Sequence, residues 1–195
     1  MTASALRRIK SSFWRFYLNV LGVTGCRNIT VYNKPIIVIK EGAIGISDNV
    51  TLHSSNKGYH AQMCQPVKLY VDAPGAVIEI GSDSRLNGCC IHAKNRIKIG
   101  QNCLIAANVN IIDTDGHLLD PNDRTNPQNR DVPREIIIGS NVWIGLNAVI
   151  LKGVRIGDNS VISANCVVSE DIPPDSLVKS GSNVLTIERL AFDDD

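Results

Sequence analysis

The stretch IGSNVWIGLNAVILKGVRIGDNSVISANCVV, residues 138–168, decides the fold. An aliphatic residue returns at every sixth position within it, at Ile138, Ile144, Ile150, Ile156, Ile162 and Val168. Four positions after each of the first five stands a residue that can fill a tight corner: Val142, Ala148, Val154, Ser160 and Cys166. A period of six matches neither an amphipathic helix nor an alternating strand. It therefore predicts a solenoid of very short strands separated by turns.

The same period continues towards the amino terminus. Its earlier members are Ile46, Ile80, Ile99, Ile105 and Ile111. Between Leu86 and Ile99 the register slips by one residue. Asn and Asp occupy the turns, in GSN, GDN and GQN, and these side chains tolerate unusual backbone angles. We expect the coils to stack at about 4.8 Å, the spacing of neighbouring strands.

This pattern resembles the hexapeptide-repeat acyltransferases, in particular the galactoside and maltose acetyltransferase branch, and is similar to polysaccharide O-acetyltransferases. The resemblance covers roughly residues 30 to 190 and is strongest from Ile99 to Pro174. It implies an all-β fold, a left-handed parallel β-helix with an N-terminal helix and a projecting loop. It also implies acetyl-CoA as the acyl donor, no metal, a sugar or glycan acceptor, and a homotrimer with active sites between subunits.

The repeat is interrupted at residues 113–134, DTDGHLLDPNDRTNPQNRDVPR. Loops of this length in a compact domain are often functional. An imidazole titrates near neutrality, and transfer of an acetyl group to a hydroxyl needs a base for the hydroxyl proton. The family uses the histidine of its GH dipeptide in this way, so the resemblance implies that His117 is the general base. Asp113, Asp115 and Asp120 are all close enough in sequence to orient its ring.

The resemblance also suggests substrate contacts. Asn87 lies 30 positions before His117, as the family's acceptor-binding asparagine does, although a turn asparagine beside Gly88 would look the same. Asp115 is a second candidate for the acceptor. Trp143 matches the tryptophan that forms a wall of the acyl-donor site, although simple packing would also explain it. The residues expected to bind the donor are Gly145, Leu146, Ala164, Ser169 and Lys179.

The sequence differs from the family pattern at three places where the family binds its substrates. Asn95 is neutral where the family often has an acidic residue for the sugar. Glu170 replaces a basic residue, and the usual GxPA stretch reads GSNV at 181–184. Since these last two changes affect the region that holds coenzyme A, a basic residue elsewhere is expected to supply the lost charge; the candidates are Lys152, Arg155 and Lys179.

Composition excludes several other classes of protein. A net charge of +1 over 195 residues gives no electrostatic basis for binding nucleic acid. His53, His60 and His92 lack the spacing of a three-histidine zinc site. The stretch 53–66, HSSNKGYHAQMCQP, borders the acceptor site or is a surface loop, and we favour the surface loop. The six cysteines form no CxxC pair and are expected to be reduced thiols.

We divide the chain into an N-terminal amphipathic helix (1–22), the repeat domain (23–190) and an acidic tail (191–195). The helix is expected to group its apolar residues on one side, as Leu6, Ile9, Phe13, Phe16, Tyr17 and Val20. Arg7, Arg8 and Arg15 fall opposite. We favour packing of this face against the base of the solenoid or a neighbouring subunit. The alternative is peripheral contact of residues 3–21 with an anionic membrane.

The expected function is coenzyme A-dependent O-acetylation of a sugar hydroxyl in surface polysaccharide biosynthesis. Two alternatives stay open, N-acetylation of an amino sugar on a nucleotide and a catalytically silent scaffold. The sequence shows neither a signal peptide nor an apolar run long enough to span a membrane. We therefore expect a cytoplasmic protein, located at the inner face of the membrane if the helix is interfacial.

Overall fold

The computed structural model describes residues 3–126, 131–181 and 184–189, and it is built almost entirely of β-strands after one helix, α1 (Ala3–Val20). The acidic tail at 191–195 lies outside the described residues. The strands are β1 (Val23–Gly25), β2 (Thr30–Tyr32), β3 (Ile36–Ile46), β4 (Thr51–His53), β5 (Lys68–Ile80), β6 (Arg85–Asn87), β7 (Cys90–Ala93), β8 (Arg96–Ile99), β9 (Leu104–Ile105), β10 (Asn110–Ile112), β11 (Ile136–Ile138), β12 (Trp143–Ile144), β13 (Val149–Ile150), β14 (Arg155–Ile156), β15 (Val161–Ile162), β16 (Val167–Val168), β17 (Ser176–Gly181) and β18 (Val184–Arg189).

The strands wind into a coil with three faces, and each turn of the coil adds one strand to each face. The first face contains β2, β4, β6, β9, β12, β15 and β17, with β18 antiparallel on its edge. The second contains the first halves of β3 and β5, followed by β7, β10, β13 and β16. The third contains β1, the second halves of β3 and β5, then β8, β11 and β14. Apart from β17 with β18, the described pairings are parallel, so the predicted all-β solenoid of parallel strands is confirmed.

The six-residue period places the aliphatic residues inside the coil. Three hexapeptides make one turn, so Ile144 pairs with Ile162. Both side chains are fully buried, and burial of such a side chain stabilises the fold by about 1.5–3 kcal/mol. The predicted slip in register is confirmed, because Leu86 pairs with Ile105, one residue beyond the usual spacing.

Asparagines form the corners of the coil. Asn141, Asn147, Asn159 and Asn165 all have positive φ angles, between 58° and 61°. Their side chains bond to each other in adjacent coils. Asn141 Nδ2 donates to Asn159 Oδ1 at 3.0 Å, and Asn147 Nδ2 donates to Asn165 Oδ1 at 3.1 Å. The prediction that Asn serves turns with unusual backbone angles is therefore confirmed.

Helix α1 packs against β1 and β2 at the amino-terminal end of the coil. Leu18 is buried there, and Trp14 and Tyr17 are partly buried. Phe13, Phe16 and Val20 of the predicted apolar face do not pack against the coil, since they are 59%, 69% and 68% exposed. The reason is that the helix carries two adjacent apolar stripes, and only one can meet the coil. The side chains of residues 3–9 lie outside those that the structure describes. Within the described residues, no helix has the length and apolar character needed to span a bilayer.

Two loops leave the coil at different corners. The short loop, residues 54–67, joins β4 on the first face to β5 on the second. The long loop, residues 113–135, joins β10 on the second face to β11 on the third and contains the predicted interruption. Residues 127–130 of the long loop lie outside the described residues. The two loops are therefore one corner apart.

Candidate functional site

A groove runs across the first face of the coil. Its floor is a column of outward-facing side chains on five successive strands: Arg85, Leu104, Trp143, Val161 and Leu177. Four steps of about 4.8 Å between strands make the groove roughly 19 Å long. Its volume is about 580 Å³. Most of the column is apolar, so the groove suits a long, narrow and largely apolar ligand.

The corner between the first and second faces forms one side of the groove. Asn87, Gly145, Leu146 and Ala164 line it there, so the structure brings these four predicted residues together with Trp143. A Cβ at Gly145 would lie only 2.6 Å from the backbone nitrogen of Ala164. The coils approach so closely at this position that a larger residue would displace the backbone. The small residues therefore keep the corner low and the groove open.

The short loop leaves the coil at the same corner and builds this side up into a wall, with Gly58, Tyr59 and His60 lining the groove. It is held down by Asn108, whose Oδ1 accepts from the backbone nitrogen of Cys64 at 2.8 Å. Asn56 closes the loop on itself through the backbone of Met63. The stretch 53–66, predicted to border the acceptor site or to be a surface loop, thus lines the groove with three of its residues. The pattern of the sequence contains no period in this segment that could have shown which way its side chains face.

Asn87 lies at the β6 end of the groove and is 1% exposed. Its Nδ2 donates to the carbonyl of Ile105 at 2.8 Å, and its Oδ1 accepts from Arg85 Nε at 3.0 Å. Asn87 is the last residue of a strand and not a turn asparagine. Both the oxygen and the nitrogen of its side-chain amide already form hydrogen bonds within the chain, so Arg85 is the residue that reaches into the groove here.

His53 packs beside this end of the groove on the neighbouring strand, in register with Asn87. Its ring lies between Tyr32 and Tyr59, with centroid distances of 4.7 Å and 5.4 Å. Burial lowers the pKa of His53, and the positive charge of Arg85 lowers this pKa further. Its Nδ1 has no hydrogen-bond partner among the described residues. His53 is therefore a neutral imidazole that packs against the tyrosine rings.

His117 is exposed on the long loop and does not line the groove of its own chain. Its Nδ1 lies 3.0 Å from the carbonyl oxygen of Arg124. A carbonyl can only accept, so Nδ1 carries a hydrogen, and in the neutral ring the lone pair is then on Nε2. A backbone carbonyl therefore orients this ring, in place of the three candidate aspartates. Arg124 is itself fixed, since its Nη2 donates to the carbonyl of Leu119 at 2.8 Å.

Asp113 fastens the base of the long loop to the coil. Its buried carboxylate accepts hydrogen bonds from the backbone nitrogens of Lys94 and Asn95, at 2.8 Å and 2.7 Å. Its carbonyl accepts from the nitrogen of Arg134, where the loop returns. Burial raises the pKa of Asp113, although the two hydrogen bonds to its carboxylate lower it. Asp113 is therefore a structural residue of the loop.

A second clamp holds the start of the loop. Lys152 Nζ lies 3.0 Å from Asp131 Oδ2 and also forms an ion pair with Asp115. Asp131 further accepts from Thr114 Oγ1 at 2.6 Å and from the backbone nitrogen of Asp115 at 2.7 Å. Asp115, a predicted acceptor contact, is thus engaged by a lysine of its own chain.

The remaining predicted residues lie outside the groove. Ser169 and Glu170 are exposed beyond the end of β16, on the second face. Lys179 lies on β17, one strand beyond Ser163 at the corner of the groove, and it pairs with Glu188. Arg155 pairs with Glu135. Two of the residues at 181–184 lie outside the described part of the chain. All three candidates for the missing basic charge are therefore held in ion pairs.

Arg85 is a groove residue that the sequence did not predict, whereas Tyr59 and His60 lie in the stretch 53–66, whose place beside the acceptor site was left open. Arg85 had one available signal, since it stands two positions before Asn87 and a strand directs alternate residues to the same face. For Tyr59 and His60 the sequence held no comparable signal. In the described part of the chain, no three His, Cys, Asp or Glu side chains converge as metal ligands.

Known proteins share both the repeat and the fold. Residues 135–170 match a family profile described as the hexapeptide repeat of succinyl-transferase. The chain is 49% identical over 94 residues to galactoside O-acetyltransferase of Escherichia coli (strain K12), a match that covers 48% of this chain and 44% of that enzyme. The chain thus spans less than half of the length of this relative.

Two solved structures are similar over most of the chain. One is a hexapeptide-repeat acetyltransferase of Vibrio cholerae O1 biovar eltor complexed with acetyl coenzyme A, with 26% identity, a TM-score of 0.59 and coverage of 93% of this chain and 79% of that one. The other is a galactoside acetyltransferase in complex with coenzyme A, with 27% identity, a TM-score of 0.58 and coverage of 92% and 70%. Residues 135–170 are thus a hexapeptide repeat, and in sequence and fold the chain resembles the hexapeptide-repeat acetyltransferases.

Proposed function

We propose that this protein transfers an acetyl group from acetyl-CoA to a hydroxyl group of a sugar. The observation that carries the proposal is the groove on the first face, an apolar channel of about 580 Å³ with Trp143 in its floor. It has the shape that the extended arm of coenzyme A requires. The two similar structures are complexed with acetyl coenzyme A and with coenzyme A, which supports the same donor here. We further propose the left-handed coil of these relatives.

The small residues and the tryptophan contact the donor in different ways. Gly145 and Ala164 let the arm of coenzyme A lie against the backbone, while Trp143 and Leu146 offer apolar surface. Since Trp143 is 51% exposed, a ligand in the groove would cover its ring. Lys179 lies next to Ser163 on the neighbouring strand, at the far end of the same corner. We propose that it leaves its ion pair with Glu188 and binds the phosphates of the donor.

His117 is the proposed general base. Because Nδ1 is fixed on the carbonyl of Arg124, Nε2 is free to accept the hydroxyl proton. The acceptor oxygen then attacks the thioester carbonyl and a new C–O bond forms. The C–S bond breaks, and the departing sulfur takes the proton back from His117 to give the thiol of coenzyme A. No covalent acyl-enzyme is needed.

The position of His117 supports a site that is shared with a second chain. Within one chain, His117 stands one corner away from the groove, on a loop fastened to its own corner by Asp113 and Lys152. We therefore propose a homotrimer in which the long loop of one subunit completes the groove of the next. This arrangement follows the closed rotational symmetry that soluble oligomers prefer. The sugar acceptor would bind between the two subunits.

We also propose a cytoplasmic location with α1 on the inner face of the membrane. Its solvent-exposed stripe contains Phe13, Phe16 and Val20, and Lys10 and Arg15 are exposed on the same helix. Apolar side chains beside basic ones are the combination that binds an anionic lipid surface. A location at the membrane suits an acceptor from surface polysaccharide biosynthesis.

The test is turnover of acetyl-CoA with a panel of sugars, followed by release of the coenzyme A thiol. We expect turnover with at least one sugar and its reduction by 10²–10⁴-fold in His117→Ala, the usual loss for a general base. Leu119→Ala, at an exposed position of the same loop, is the matched control and should keep the parental rate. Parental turnover in His117→Ala would show that another group accepts the proton.

A further inference from the structure

We propose that Arg85 makes the β6 end of the groove a binding site for an acceptor that carries a negative charge, a carboxylate or a phosphate on the sugar. The proposal rests on the acetyltransferase function and specifies its acceptor. It also changes the expected role of Asn87, which becomes a positioning residue for Arg85.

The side chain of Arg85 is aimed by a buried partner. Asn87 is almost fully buried, and its Nδ2 is bound to the carbonyl of Ile105, so its amide cannot rotate without losing that bond. Its Oδ1 therefore faces Arg85 and accepts from Nε at 3.0 Å. This bond uses one N–H of the guanidinium and leaves both Nη groups for a ligand. Paired Nη donors match the two oxygens of a carboxylate or phosphate.

The guanidinium has no counter-ion in the described part of the chain. Arg27, Arg96 and Arg155 each form an ion pair with a carboxylate, whereas no such pair is found for Arg85 among the described residues. No aspartate or glutamate is among the described residues that line the groove, and Arg85 is their one arginine or lysine. The neighbouring His53 is kept neutral by burial and by Arg85 itself, since both lower its pKa. An anion is therefore the ligand that completes this end of the groove.

The anion that Arg85 binds is part of the acceptor and is not one of the phosphates of the donor. The short loop encloses the β6 end, where Tyr59 packs against His53 and His60 lies beside Tyr59. At the other end the groove runs out to Leu177 on β17, with Lys179 on the same strand. The bulky nucleotide of the donor fits the unenclosed end near Lys179. Its thioester then points towards Arg85, where the acceptor must lie.

The experiment compares galactose, galacturonate and galactose 1-phosphate as acceptors at saturating acetyl-CoA. We expect a KM for at least one of the two anionic sugars that is roughly 10–100-fold lower than that for galactose, the usual effect of a hydrogen bond to a charged group. The two anions distinguish a carboxylate site from a phosphate site. Arg85→Gln should raise the KM for the preferred anion to that for galactose. Arg96→Gln, which removes an arginine on the third face, is the control.

Asn87 gives a second test that leaves Arg85 in place. Asn87→Asp puts a carboxylate beside the guanidinium, so the preference for anions should vanish although the arginine is retained. Asn87→Ala should weaken the preference without removing it, because the guanidinium loses its support and keeps its charge. A merely structural role for Asn87 predicts equal loss of kcat for all three sugars. Circular dichroism checks that each variant folds.

Other outcomes overturn the inference. If galactose and both anions give the same KM, Arg85 does not select the acceptor, and the acetyltransferase function stands without it. If Arg85→Gln raises the KM for acetyl-CoA and leaves the anion preference intact, Arg85 serves the donor. If no sugar is turned over, calorimetric titration of the two anions with coenzyme A present decides. Binding that Arg85→Gln abolishes would keep the site and refute the proposed transfer, and absence of binding would refute the site.

Discussion

Complementation between two inactive variants tests the shared site most directly. One variant is His117→Ala, which loses the proposed base and keeps the groove. The other is Trp143→Ala, which removes the tryptophan from the groove floor and keeps the base. At an acetyl-CoA concentration well below the parental KM, each should be nearly inactive alone, yet a trimer that contains both chains should hold an intact groove facing an intact His117.

The structure gives the size of each defect. Loss of the base should lower turnover by 10²–10⁴-fold, about 3–5 kcal/mol of activation free energy. Trp143 is 51% exposed. For a tryptophan this corresponds to about 100 Å² of ring surface that the donor would cover. At about 25 cal/mol per Å², losing that contact weakens donor binding by roughly 2.5 kcal/mol, or somewhat less than 100-fold.

The assay is thiol release by an equimolar mixture refolded together or co-expressed. Random assembly makes about three trimers in four mixed, and a mixed trimer has one intact site in three, so roughly a quarter of parental activity should return. Trp143→Ala mixed with Leu146→Ala is the matched control, because both changes damage the groove and no interface is intact. Activity no greater than that of the separate variants, in trimers shown by two tags to be mixed, would refute the shared site.

Three further predictions concern the groove, the second face and the helix. Gly145→Ala should raise the KM for acetyl-CoA and cost about 1–3 kcal/mol in urea unfolding, because its Cβ would lie 2.6 Å from the nitrogen of Ala164; an unchanged KM would show that the donor does not pass this corner. Burial raises the pKa of Asp72, but hydrogen bonds from His92 and Tyr70 outweigh burial and hold this pKa below its usual value. The stabilisation by ionised Asp72 is then present above the unfolded pKa of about 4 and is lost as the pH falls through the lower folded value. Asp72→Asn should therefore lower the free energy of unfolding by about 1–3 kcal/mol at pH 7 and make it depend less on pH in the acid range. An unchanged dependence on acid pH would contradict this. Phe16→Ser should abolish pelleting with phosphatidylglycerol vesicles at low salt and leave the fold intact, and the membrane proposal fails if the parent protein does not pellet.

The repeat could be predicted because its cause is local. Each inward position of the coil needs an aliphatic residue, and each corner needs a residue that accepts a positive φ, so the pattern of Ile144, Asn147 and Ile150 carries its own explanation. The apolar face of α1 was predicted less well. A helical pattern shows that two stripes exist, but not which one meets the coil, since that depends on the surface at β1 and β2.

The candidate site also contains residues that the sequence could place and residues that it could not. Trp143, Gly145 and Ala164 lie within the regular repeat, so the resemblance could place them on one face. The wall at Tyr59 could not be placed, because the short loop is held by Asn108, 44 residues beyond Cys64. The role of Asp115 was equally hidden, since its partner Lys152 comes from a later coil. Contacts of this kind depend on tertiary structure and leave no period in the sequence.

The positions of the two loops support the proposal that the site is shared between chains. A regular coil presents flat faces, so any cleft needs a wall, and the short loop supplies it at the corner beside Trp143. The long loop leaves at the next corner, where Asp113 and Lys152 fasten both its ends to the coil that it comes from. Bringing His117 to its own groove would break those bonds, several of them to charged groups at about 1.5–3 kcal/mol each. A neighbouring subunit related by rotation offers a groove at no such cost, so the clamp that keeps His117 away from its own groove is the feature that favours a site shared between chains.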